Sequence, residues 1–212
     1  MEEDVARILL EIKAVTLSPE KPYRYVSGIL SPIYTDNRLL MSYPQERKKI
    51  IDFFVELVER GRLSPDTIAG VASSGIPHAA WLADRLDKPM VYVRKASKDH
   101  GKENLIEGKL GVGEKTVLVE DLISTGGSSL ASIEAIRSSG GIVENCLVIF
   151  TYNMKKAVEG FKAAQVKLVS LTDFATLIEV AAKEEYISRD EAAKAIQWNQ
   201  DPSGWGKKMG LE

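Results

Sequence analysis

A chain of 212 residues is long enough to bury a substantial core in a single domain. Its 28 Lys and Arg stand against 30 Asp and Glu, a net charge of −2, so no global field favours nucleic acid or an anionic membrane and any anion site must be local. The one cysteine, Cys146, excludes a disulfide within the chain and, set in an apolar run, reads as a small buried core residue. No apolar stretch approaches the ~18 residues of a membrane span, and the N-terminus is acidic and amphipathic rather than basic then apolar, so the expectation is a soluble cytoplasmic protein.

In chain order, Val5, Ile8, Leu9 and Ile12 recur at helical spacing and predict an opening helix over residues 2–14. Residues 23–40 are rich in aromatic and β-branched types but broken by Gly28, Pro32 and an Asp-Asn pair, which predicts short strands and a turn outside the main sheet. Pro44 opens a long helix with Ile50, Phe54, Leu57 and Val58 on one face and Gly61 at its stop. Thr67 to Ala72 is a buried strand. It leads through Ser73, Ser74 and Gly75 into a helix carrying Leu82 and Leu86, where His78 reads as a surface or capping residue.

Met90 to Val93 is a third strand-like run, followed by Arg94, Lys95, Lys98, His100 and Lys102, five basic residues in nine positions. Between two strands, and with Gly101, Gly108, Gly111 and Gly113 interspersed, this stretch is written as a lid or long hairpin rather than a helix. Cations brought up as charge grows on a leaving group favour the transition state over the ground state.

Thr116 to Gly140 then reads as strand, loop and helix. Val117, Leu118 and Val119 meet the carboxylates of Glu120 and Asp121, the small-residue turn Ser124 to Ser128, and the helix-period residues Leu130, Ile133 and Ile136. Loop N–H groups and the positive end of a helix converge on one point, which suits a phosphate. No GxxxxGK[ST] or GxGxxG is present, so a nucleoside triphosphatase or dinucleotide fold is unsupported. Carboxylates just before a phosphate cradle repel another phosphate but suit neutral hydroxyls or a hydrated Mg²⁺.

After this unit come a strand at Cys146 to Phe150, a helix through Ala157 and Phe161, a last strand at Val166 to Leu171, and helices at Asp173 to Glu185 and from Ser188, which with Glu191 forms a capping box. The Gly-rich tail from Ile196 reads as loosely ordered. Alternating strands and helices place a ligand site at the carboxyl ends of a parallel sheet.

The run Glu120 to Ser128, EDLISTGGS, resembles the signature of the type I phosphoribosyltransferases, whose ligand is phosphoribosyl pyrophosphate. The spacing of Arg94, Lys95, Lys98, His100 and Gly101, with the Ser-Gly-x-x-Ser-Pro run at Ser27 to Pro32, is similar to the orotate branch. The resemblance implies an α/β fold with a central parallel five-stranded sheet flanked by helices, one domain over 1–212, and a small N-terminal hood at roughly 15–40. It also implies an orotate phosphoribosyltransferase of de novo pyrimidine (UMP) biosynthesis, making orotidine 5′-monophosphate and pyrophosphate as a homodimer with shared sites.

By the same resemblance Lys98, His100 and Asp121 are catalytic. The phosphoribosyl pyrophosphate set is Arg94, Lys95, Lys98, His100, Glu120, Asp121, Leu122, Ile123, Ser124, Thr125, Gly126, Gly127 and Ser128, while Ser27, Gly28 and Ser124 meet orotate. Mg²⁺ is held mainly by the substrate's pyrophosphate, with no dedicated protein metal site. Val26 stands where many orotate enzymes carry a lysine, and Tyr152 where many carry a base-contacting arginine. Two alternatives share the fold, a phosphoribosyltransferase for another base and a non-catalytic regulator that binds nucleic acid. The regulator should show a basic face or an added helix-turn-helix, and neither the charge balance nor the N-terminus supplies one.

Overall fold

The structure, a computed structural model, describes residues 1–25, 27–95 and 105–211. Its contacts group into two compact units, Pro44–Leu171 on one hand and Met1–Tyr43 with Thr172–Glu212 on the other.

The first unit is built on a six-stranded sheet in the order β10-β9-β8-β5-β6-β7. Its strands are β5 (Thr67–Val71), β6 (Met90–Val93), β7 (Ile106–Glu107), β8 (Lys115–Ile123), β9 (Ile142–Thr151) and β10 (Lys167–Asp173). β5 pairs parallel with β6 and with β8, and β8 parallel with β9. The five expected strands are all present. The sixth, β7, shows no periodicity in the sequence because it is two residues in a polar, Gly-rich stretch; it pairs antiparallel with β6, with the Arg94 N–H donating to the Leu105 carbonyl.

Helices α2 (Pro44–Arg60), α3 (Gly75–Leu86), α4 (Gly127–Ser138) and α5 (Lys155–Ala163) flank the sheet. Val91, Val93, Leu118, Cys146 and Val148 form one apolar cluster with Ile133, Ile136 and Phe161, so the helical periodicity and the strand runs meet as predicted. Cys146 is fully buried, and burial pushes its thiol up, which keeps it neutral and inert.

The second unit holds α1 (Glu2–Glu11), the two-stranded pairs β1 (Val15–Leu17) with β4 (Ile33–Thr35) and β2 (Tyr23–Arg24) with β3 (Leu30–Ser31), and a 3₁₀ helix (Asn37–Ser42). The expected hood segment lies within this unit. α6 (Phe174–Lys183) packs on α1, and α7 (Arg189–Gln200) opens on the capping box expected of Ser188 and Glu191.

The tail corrects the expectation of loose order. α7 runs to Gln200, a short α8 spans Trp205–Lys208, and Trp198 and Trp205 are each 1% exposed. Trp198 Nε1 donates to the Leu30 carbonyl at 2.9 Å and Trp205 Nε1 to that of Lys194 at 3.0 Å. Two large indoles with satisfied N–H groups outweigh the entropy of the glycines around them. Trp198→Ala should cost about 3–5 kcal/mol in chemical denaturation, through the cavity and the unpaired Leu30 carbonyl. A loss under about 1 kcal/mol would contradict that anchoring role.

Candidate active site

The sheet order makes one crevice special. From β5 the chain passes to β6 on one side and later returns to β8 on the other, so the strand order reverses between β5 and β8, the place where open α/β sheets bind ligands. The ladder between them ends at Gly70 and Val119, while β8 runs on through Ile123 paired with β9. Glu120 and Asp121 therefore sit on strand, just before the loop as the sequence suggested. Acidic residues disfavour strands, but the long pairing with β9 overrides that preference.

Two helices begin at this crevice. α4 starts after Gly126, which adopts φ +80°, and α3 starts after Ser74. Neither has a side-chain cap or an acidic residue in its first turn, which leaves the opening N–H groups of α4 for an anion, whereas α3 offers fewer, since the Ile76 N–H donates to the Ser73 carbonyl at 3.3 Å and Pro77 has none. The α3 start fits tightly on β8, since a Cβ on Gly75 would lie 2.5 Å from the Val119 carbonyl oxygen. At Gly127 a Cβ would meet nothing within 4 Å, so the α4 turn is open.

The carboxylates are nearly enclosed, Glu120 at 5% and Asp121 at 8% exposure. Glu120 Oε1 accepts from the Asp121 N–H at 3.1 Å, and Ser129 Oγ lies 3.5 Å from Oε2. Burial, then the neighbouring Asp121 carboxylate, pushes Glu120 up to about 9, so it keeps its proton at neutral pH. In the unfolded chain this carboxyl ionises near 4.5. The proton's contribution to stability is therefore complete below that pH and fades as pH rises toward about 9. Glu120→Gln, with a neutral amide in its place, should melt several degrees above the parent at pH 8, at about 2–4 °C per kcal/mol for a chain this size, and close to it at pH 4.5. Parallel melting curves across that range would contradict the raised carboxyl.

Of the other predicted residues, Leu122 is half-buried, and Ile123 is 1% exposed with its side chain in the core cluster, leaving only backbone to face a ligand. The Ser124 hydroxyl lies 3.5 Å from Met154 Sδ. Thr125, Gly127 and Ser128 are exposed, and Gly126 is buried. Arg94 leaves the end of β6 next to the β5–α3 loop, and Lys95 is exposed. Lys98, His100 and Val26 lie outside the described residues. In the other unit Ser27 and Gly28 are exposed in a turn, where Gly28, at φ +87°, already donates its N–H to the Tyr25 carbonyl at 2.8 Å.

Tyr152, in the place of an arginine, is 3% exposed, donates its N–H to the Ile123 carbonyl and meets Phe150 edge-on at 5.1 Å. It fills core behind the loop. His78 corrects the surface reading: it is 1% exposed, edge-on to Trp81, with neither ring nitrogen hydrogen-bonded among the described residues, and burial pushes its imidazole down to about 4. Among the described residues no three His, Cys, Asp or Glu cluster as metal ligands.

A family model described as phosphoribosyl transferase domain matches residues 40–188. The chain is 53% identical over 202 residues to an orotate phosphoribosyltransferase of Coxiella burnetii, across 95% of this chain and 97% of that one. The chain belongs to the orotate phosphoribosyltransferase family. A Listeria monocytogenes member is 46% identical, across 98% of this chain and 99% of its own length. The crystal structure of the Aeropyrum pernix member superposes at a TM-score of 0.76 with 32% identity, covering 87% of this chain and 99% of that one. The family match spans β5 to α6, and with it both helix starts, the acidic pair and the hairpin root.

Proposed function

We propose that this chain transfers the ribose 5-phosphate of phosphoribosyl pyrophosphate to orotate, releasing pyrophosphate and forming orotidine 5′-monophosphate. The observation that carries the reading is 53% identity with an orotate phosphoribosyltransferase over nearly the whole of both chains. The crevice suits the chemistry. The α4 start and the loop from Ser124 to Ser128 offer N–H and hydroxyl donors to the 5-phosphate, with Glu120 and Asp121 one strand-end away for the ribose hydroxyls. The α3 start, Arg94 and Lys95 lie on the other side for pyrophosphate, with Lys98 and His100 assigned there by family resemblance. As the ribose carbon takes on oxocarbenium character, the fixed Asp121 carboxylate stabilises it, with neutral Glu120 left to hydrogen-bond a ribose hydroxyl, and cations stabilise the departing pyrophosphate, so no covalent intermediate is needed.

Two adjacent carboxyls are hard oxygen donors but fall well short of the ~6 ligands Mg²⁺ takes, so the ion would draw the rest from substrate oxygens and water. When bound it neutralises pyrophosphate charge. With Glu120 protonated, the site repels phosphate less than two full charges would. For the orotate carboxylate, Ser27 and Ser124 are the donors this reading uses. Gly28 contributes the turn itself, its N–H being spent on Tyr25. The same reading makes the chain a cytoplasmic homodimer whose sites are shared across the two-fold axis, a lid of that length having the reach to serve its neighbour.

The test is loss of orotate absorbance on adding phosphoribosyl pyrophosphate with Mg²⁺, beside parallel incubations with uracil, hypoxanthine and adenine. Turnover with orotate at least a hundredfold above the other bases is expected. A preference for any of the three would reassign the base while leaving the ribose-phosphate cradle in place.

A further inference from the structure

Arg94 follows the last residue of β6, and the chain returns in β7 with Tyr92 opposite Glu107 and Val93 opposite Ile106. The Arg94 N–H donates to the Leu105 carbonyl at 2.8 Å, extending the ladder. This register sets Arg94 and Glu107 diagonally on one face of the hairpin, within reach of long side chains. Arg94 Nη1 lies 3.4 Å from Glu107 Oε1, the two side chains 23% and 31% exposed. On the opposite edge of β6 the Ala72 N–H donates to the Val93 carbonyl at 2.9 Å. Arg94 thus leaves the sheet beside Ser73, in the loop that opens α3.

A guanidinium carries about five donors in a planar fork, so one single-oxygen contact restrains its position and leaves the rest for another anion. An unanchored arginine loses rotamer freedom when it grips a phosphate, whereas an anchored one has lost it already. A neighbouring carboxylate also subtracts attraction for an anion. That effect is partly screened by water at a pair that keeps 23% and 31% exposure, and orientation is not. The geometry points to Glu107 as a positioning residue for the transfer reaction, restraining the Arg94 side chain at the β6–β7 edge, one strand over from the β5–α3 loop, so that it meets pyrophosphate with less rotamer freedom left to lose. This rests on the reading of Arg94 as a pyrophosphate contact.

The experiment is steady-state kinetics of Glu107→Ala, Glu107→Gln, Arg94→Ala and the double variant, with phosphoribosyl pyrophosphate and orotate varied separately. Glu107→Ala should raise the KM for phosphoribosyl pyrophosphate roughly threefold to tenfold, with orotate KM unchanged and kcat within about twofold. Glu107→Gln, whose amide oxygen still accepts from Arg94, should restore most of the loss. In the Arg94→Ala background Glu107→Ala should add nothing. An unchanged or lowered KM in Glu107→Ala would overturn the proposal in favour of simple charge subtraction. A full additional loss in the Arg94→Ala background would overturn it in favour of general support of the hairpin. If Arg94→Ala leaves that KM unchanged in an active enzyme, Arg94 is no pyrophosphate contact and the proposal falls, while the reaction stands. Should Glu107→Ala melt early, Glu107→Leu, which keeps the volume without an acceptor, carries the same expectations.

Discussion

Asp121→Asn should lower turnover about a hundredfold or more while the folded chain survives, because a fixed charge that stabilises the transition state is typically worth that much. The residue lies within the part of β8 that runs past β5 and pairs only with β9, and is 8% exposed at the crevice, so its carboxylate is positioned by backbone rather than by a flexible stem. Asparagine has nearly the same volume and keeps one acceptor, so the melting temperature should move far less than the rate. Single-turnover kinetics beside a thermal melt separates the two. Near-normal turnover would remove Asp121 from the site.

The second large effect comes from mixing two damaged enzymes. On the proposed shared site, Lys98→Ala and Asp121→Asn are each nearly inactive alone, yet a mixed dimer pairs the intact Asp121 of one chain with the intact Lys98 of the other. Random reassociation of equal amounts makes about half the dimers mixed, each with one working site of two, so roughly a quarter of wild-type activity should return. A lid serving only its own subunit leaves one defect in every site and predicts no recovery at any ratio. That outcome, with mixed dimers shown to have formed, would sink the sharing and leave the chemistry untouched.

Long periodic elements were legible in the sequence. β6 is bounded as its apolar run predicts, Pro44 opens α2, and Ser188 and Glu191 form their capping box. The sequence was silent or misleading where tertiary pairing decides. β7 exists only because β6 offers it an edge, and the overrun of β8 that carries the acidic pair comes from β9 rather than from local preference. Composition misread the tail, whose glycines drew attention from two tryptophans that bury completely, and polarity misread His78, which lies on the buried face of α3 with Ala79 and Leu82. At the site, the loop from Ser124 to Ser128 was readable because small residues before a helix carry a mechanism. The proton on Glu120 was not, since it depends on burial that no motif records. Nor was the pairing of Arg94 with Glu107, thirteen positions apart, which needs the hairpin register.

The most direct measurement is ³¹P nuclear magnetic resonance of the chain incubated with phosphoribosyl pyrophosphate, Mg²⁺ and orotate. Transfer at the ribose carbon predicts that the diphosphate signals of the substrate give way to free pyrophosphate while one new phosphomonoester appears per orotate consumed, with no change when orotate is left out. Pyrophosphate release at the same rate without orotate, or unchanged phosphoribosyl pyrophosphate in its presence, would contradict the account.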